Sequence, residues 1–204
     1  MNTLANIDEL VIDAAFSVAA EKGWRAVSIE SVAETVAEIA SLPDSAVLMR
    51  YPAKALILNT FMKYIDEKVL AQELPFDEYD SDRDRIFEIL MLRFEAMQPY
   101  KPAVTRIVQD LPRDPFSIIA NGPSAALSMA KMLAAANLSA GGLLGIAQAH
   151  GLLCAWGLTL RVWLQDTSPD MARTMATLDK NLRRGEQLLR YAPGLARRAK
   201  PLKE

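Results

Sequence analysis

Apolar residues recur every three or four positions along most of the chain. Residues 7–22 place Ile7, Leu10, Val11, Ala14, Ala15, Val18 and Ala19 on one face, the 3.6-residue period of an amphipathic helix. Gly23 is placed to end it as a left-handed C-cap. Ser28 is placed to cap the next helix, although Ser28-x-x-Ser31 is not a full capping box because Glu30 comes one position early. The break Ser41-Leu42-Pro43-Asp44 precedes a short helix over 45–50, with proline suited to its first turn. Pro52 starts a long helix reaching about Glu73, and the acidic, proline-marked stretch 74–84 is the expected boundary. Beyond it, Ile86, Leu90, Phe94 and Met97 stack on a helix over 83–97, and Pro99 and Pro102 set off a short helix reaching about Gln109. Residues 116–136 read as a helix interrupted at Asn121-Gly122-Pro123. Asn137 stops it, Ser139 caps a helix over 141–165, and a last helix covers 168–190. No sustained period-two alternation flanks an Asn-Gly or Asp-Gly turn. The pattern therefore predicts an all-α chain of about nine helices: a front module over 1–55, a helical domain over 56–192 and a basic tail over 193–204.

Composition adds that this is an ordered chain of one large or two small domains, since 51% of its 204 residues are hydrophobic and 24% charged. One cysteine, Cys154, excludes an intramolecular disulfide, and no Cys/His cluster has zinc spacing, so neither metal nor cofactor is expected. The first residues lack a basic leader with an apolar run, which makes a cytoplasmic location the expectation. Residues 141–160 are apolar enough to resemble a membrane span. Gln148 and His150 at the centre favour a helix buried in a soluble bundle.

Charge is unevenly placed. Residues 1–60 carry eight acids and four bases, a net of −4, whereas residues 180–204 carry eight bases and two acids, a net of +6. An acidic front module works against DNA, whose affinity for proteins comes largely from Lys and Arg neutralising phosphates. The basic end suits an acidic lipid surface, a partner protein or a solubilising tail.

The run VIDAAFSVAAEKGWRAVSIESVAETV followed by Tyr51-Pro52-Ala53-Lys54 resembles the opening of TetR-type transcriptional regulators. The resemblance implies a helix-turn-helix front module and a back bundle that binds a small molecule and dimerises. It also implies backbone-phosphate contacts at Ser28, Tyr51 and Lys54, with Ser45 on the recognition helix. The chain departs from that pattern between Ser28 and Tyr51, which hold about one extra helical turn. On the recognition segment, Leu48 and Met49 cannot hydrogen-bond a base edge and Asp44 repels phosphate, leaving Arg50 as the base-reading candidate. A second resemblance, to the ubiquinone-biosynthesis accessory lipid-binding proteins of the same fold, rests on Gly23-Trp24, the lengthened segment 32–42 and the stretch 160–184. It implies a degenerate helix-turn-helix and no DNA binding.

No nucleophile–base arrangement points to an enzyme. His150 and Cys154 are one turn apart but read more simply as a core or interface histidine and a small hydrophobic thiol. An apolar pocket is expected from Met91, Phe94 and Met97, from Met129, Met132 and Leu133, and from Trp156, with His150 and Arg161 as donors to a polar head group. Two small-residue stripes, Gly141/Gly145/Ala149 and Ala147/Gly151/Ala155, are expected to let a second helix approach closely. Since TetR-like chains pair through their last two helices, a two-fold homodimer follows. Two functions remain open: a regulator that binds operator DNA and answers to a hydrophobic small molecule, or a lipid-binding accessory protein touching a membrane through its basic tail.

Overall fold

The computed structural model describes residues 3–74, 76–77, 79–138 and 141–191; the tail 193–204 and the expected cap Ser139 lie outside them. Among the described residues there are nine α-helices and no strand: α1 (Thr3–Lys22), α2 (Ile29–Ala40), α3 (Asp44–Arg50), α4 (Ala55–Leu70), α5 (Asp82–Met97), α6 (Lys101–Asp110), α7 (Pro115–Ala135), α8 (Gly142–Trp163) and α9 (Ala172–Tyr191). Contacts divide the chain into two units, each discontinuous: residues 1–67 with 97–125, and residues 68–96 with 126–204. This differs from the linear division at residue 55, because α6 packs along α1 and joins the front of the chain.

In the first unit, α1 buries Val11, Ile12, Ala15, Phe16 and Ala19. Its neighbours include α2 and α6, and α6 buries Ala103, Val104 and Ile107. Phe16, Phe61 and Tyr100 form an aromatic cluster, with centroids 4.4 Å apart for Phe16–Phe61 and 5.2 Å for Phe61–Tyr100. Gly23 ends α1 at φ 88°, ψ 163°, an extended positive-φ conformation rather than the expected left-handed helical one. Glycine adopts it readily and other residues scarcely at all. Ser28 caps α2 by accepting from Ser31 N–H at 3.4 Å. Ser41 ends α2 in the left-handed region (φ 53°), so Leu42 N–H can reach the Ala37 carbonyl at 3.1 Å. Pro43 stands just outside α3 as its N-cap, not within the first turn.

The interruption expected at Asn121-Gly122-Pro123 is absent; α7 runs through Pro123. Pro123 lies on the exposed side, where a proline ring and an unmatched carbonyl meet water. Side chains brace the turn: Asn121 Nδ2 donates to Ser117 O (2.9 Å) and Ala55 O (3.1 Å), and Asn59 Nδ2 donates to Ser124 Oγ (2.9 Å).

In the second unit, Phe94 stacks on Trp156 (6.1 Å) and meets Trp163 (5.6 Å). Helices α8 and α9 pair closely, with Asn181 Nδ2 donating to Thr159 Oγ1 at 3.1 Å inside the seam. The buried carboxylate of Asp166 holds the start of α9, accepting Thr174 N–H (2.8 Å) and hydroxyl (2.7 Å) on one oxygen and Ser168 N–H (3.1 Å) and hydroxyl on the other. Helix α8 is long and apolar enough to cross a membrane by length and composition, yet only 28% of its apolar stretch is buried, so it is less enclosed than expected. One face turns inward through Gly145, Ala149, Leu152, Thr159, Leu160 and Trp163, and the other is open.

Candidate functional site

Helices α2 and α3, joined by the Ser41 turn, form a helix-turn-helix in the first unit. Val32, Ala33 and Val36 turn the inner face of α2 into the core, and this spacing leaves Glu30, Glu34 and Glu38 in one exposed row. The seven-residue α3 buries Val47 and exposes Asp44, Ser45, Ala46, Met49 and Arg50, with Met49 85% exposed. The outer surface of the motif is therefore acidic, with two apolar projections, Ile39 and Met49, and a single base.

That base is occupied. Arg50 Nε and Nη2 donate to the two carboxylate oxygens of Asp8 on α1, each at 2.7 Å, and Tyr51 Oη donates to Asp8 Oδ1 at 2.6 Å. The fork is the geometry that guanidinium offers to carboxylate and phosphate alike. Burial pushes the Asp8 carboxyl up, but the hydrogen bonds from Arg50 and Tyr51 outweigh it and hold the group below its ordinary value. Burial and the bond to Asp8 push the Tyr51 hydroxyl up to about 12. Tyr51 is buried, so its expected place on a phosphate is taken up by packing instead. Lys54 leans back over Trp24: Nζ donates to the Trp24 carbonyl at 3.3 Å and stands 5.4 Å from the ring centroid. Ser28, exposed, gives its hydroxyl to Glu30, and Ser45 N–H is capped by Asp44 Oδ1 at 2.8 Å. Four of the five residues singled out for DNA thus lie on the motif or cap its helices, Lys54 comes just before α4, and Arg50, Tyr51 and Lys54 all turn toward α1 or the segment that follows it.

In the second unit the structure buries Met91, Phe94, Met129, Met132 and Leu133, with Trp156 half-buried beside Phe94. Met97 is also buried but belongs to the first unit. The two expected head-group donors are not among them. His150 and Arg161 lie on the exposed face of α8, and His150 Nδ1 bonds back to the Ile146 carbonyl at 2.8 Å. Eleven residues apart they do share a face, but it is the outer one. The cation inside this unit is Arg93, 2% exposed and 5.4 Å from the Trp156 ring centroid. Trp156 Nε1 and Gln148 Oε1 are buried without hydrogen-bond partners. A separate cleft of about 190 Å³ lies in the first unit, lined by Asp13, Phe16, Ser17, Tyr100, Pro102 and Ala103 among others.

The two small-residue stripes of α8 part company. Gly145 and Ala149 are buried within the protomer and cannot offer the interface expected of them, while Gly141 is exposed at the N-cap. Ala147 and Gly151 face outward with Ala155 half-buried, and a Cβ on Gly151 would meet nothing within 4 Å. Around them the outer face carries Leu143 (71% exposed), Ile146 (56%) and Leu158 (52%).

Sequence reasoning missed Asp8, which entered only as a count of charge, and Arg93, which sits among apolar helix positions. Asp8 lies 42 residues from Arg50, and no local spacing links them. Arg93 immediately precedes Phe94, so the same apolar turn of α5 carries it inward.

No protein-family model matches this chain, and no curated protein sequence does either. Solved structures do. A TetR transcriptional regulator from Nitrosomonas europaea superposes with a TM-score of 0.66 at 16% identity, over 89% of this chain and 99% of its own. A TetR transcriptional regulator from a Rhodococcus species does so with a TM-score of 0.59 at 14% identity, over 88% and 96%. The chain has the TetR fold along nearly its whole length.

Proposed function

We propose that this protein is a homodimeric, TetR-like transcriptional regulator that answers to a hydrophobic small molecule and binds DNA weakly. The observation that carries the reading is the extent of the fold: the match to a known regulator covers 89% of this chain and 99% of that one. Dimerisation would use the open face of α8, where Leu143, Ile146 and Leu158 stand unpartnered around Ala147 and Gly151. The ligand would lodge among the methionines and aromatics of the second unit. There a carbonyl or carboxylate on the ligand could accept from Trp156 Nε1 beside the Arg93 guanidinium. Such a ligand alters DNA affinity only by binding one conformation better than the other.

The test is binding to DNA from the region flanking the protein's own gene, followed by anisotropy against salt. With two cationic phosphate contacts per protomer, from Arg50 and Lys54, a dimer should show a log–log slope of about −4. Lys54→Ala should weaken every sequence alike, whereas Arg50→Ala should also relax base preference.

The exposed row Glu30, Glu34, Glu38 supports a second reading: a lipid-binding accessory protein of the same fold whose helix-turn-helix no longer meets DNA. That protein would show no saturable DNA binding even at low salt, and would bind vesicles containing anionic lipid. Running both assays on one preparation separates the two.

A further inference from the structure

We infer that Asp8 acts as an internal substitute for a DNA anion, holding Arg50 in an autoinhibitory contact that must open before the helix-turn-helix can engage a duplex. The inference rests on the regulator reading proposed above. Arg50 is the only base on α3, at its last position. Its side chain is 41% exposed, so the guanidinium is within reach of a ligand from solvent. The fork it would extend to a phosphate, or to the edge of a guanine, is closed on both carboxylate oxygens of Asp8 at 2.7 Å. Occupation removes those donors and also cancels the charge, so the recognition helix presents no net cation.

Three features make the contact a built one rather than a casual surface pair. It is bidentate. Tyr51, buried at 3% exposure, adds a third hydrogen bond to the same carboxylate and fixes its position. Asp8 is itself only 26% exposed at the side chain, so water screens it incompletely. The opening step is an exchange of partners: Arg50 leaves one anion and takes another. Its cost falls on DNA affinity, because Asp8 is then left beside the incoming phosphates. Movement of α1 relative to α3 would open the same contact, and α1 packs on α6 within this unit.

Asp8→Asn removes the charge and keeps a carbonyl oxygen for the Tyr51 hydroxyl. With a fluorescently labelled random-sequence duplex at low salt, it should tighten binding by roughly tenfold. The salt slope should stay close to the wild type's, because Arg50 reaches the duplex in both complexes. Glu34→Gln removes an equal charge from α2 without touching Arg50, and its effect should stay under about twofold. In an Arg50→Ala background the gain from Asp8→Asn should fall to the under-twofold effect of removing a carboxylate near phosphate. A second measurement on the unaltered protein uses the Arg50 Nε–H resonance, which should shift when saturating duplex is added. If the wild type binds and Asp8→Asn binds equally or less well, Asp8 does not inhibit, while the regulator reading stands. An unmoved Arg50 resonance in a saturated complex overturns the inference in the same way. If no variant binds the duplex, freeing Arg50 is not what DNA binding lacks, and both readings fall together.

Discussion

Removing the Asp166 carboxylate should cost more stability than any other single change at the α8–α9 corner. Asp166 is 2% exposed and takes four hydrogen bonds, two from Ser168 and two from the fully buried Thr174. Bonds to a charged acceptor contribute about 1.5–3 kcal/mol each, and they are not additive within one network. Asp166→Ala leaves the Thr174 amide and hydroxyl without their acceptor, at about 1–3 kcal/mol for each buried group left unsatisfied. Asp166→Asn keeps one oxygen but turns an NH2 group toward donors, so about 2 kcal/mol is expected. Thr174→Val removes one bond and should cost about 1–2 kcal/mol. Urea titration at one fixed protein concentration measures all three, provided the m-value is unchanged.

A pH series adds an independent check on the same group. The hydrogen bonds from Ser168, opposed by burial and joined by those from Thr174, hold the Asp166 carboxyl far below its ordinary value. Depression means the stabilisation is fully present above the unfolded value near 3.9 and is lost as the pH falls toward the lower folded value. Wild-type stability should therefore drop below about pH 4 more steeply than that of Asp166→Asn. A loss under about 1 kcal/mol for Asp166→Ala at neutral pH would refute the reasoning, since it would mean water replaces the carboxylate at little cost.

Gly23→Ala should destabilise the first unit by about 1–3 kcal/mol, because its φ of 88° disfavours a side chain and the new Cβ would lie 2.9 Å from Asp110 Oδ2; thermal unfolding measures this. Gly151→Leu should leave the protomer folded, since nothing lies within 4 Å, and yet shift a dimer toward monomer in sedimentation velocity; a dimer that tolerates leucine there does not use this face. Gly145→Leu, by contrast, should lower the stability of the protomer itself, as Gly145 is buried within it.

Local rules settled much of the fold. The 3.6-residue repeat of α1 identified Val11, Ala15 and Ala19 as buried, Gly23 and Ser28 marked a stop and a start, and the absence of alternation excluded a sheet. These follow from interactions within a few residues, which sequence displays directly. What it could not display is choice of partner. The fork of Arg50 was legible as a donor set, but an equally good carboxylate stood 42 residues away on α1, and only packing decided that the two would meet. Which small-residue stripe of α8 faced α9's side of the bundle was likewise undetermined, because a helix apolar on both sides gives no hydrophobic contrast to orient it. Packing put Gly145 and Ala149 inside and left His150, Gly151 and Arg161 outside. Pro123 teaches the same lesson for the backbone. Proline predicts a break when only its own helix is considered, but hydrogen bonds linking α7 with Ala55 and Asn59 of α4 hold the helix through it. Periodicity specifies a helix and its faces; the free energy that selects which groups pair across the chain exists only once those helices are packed.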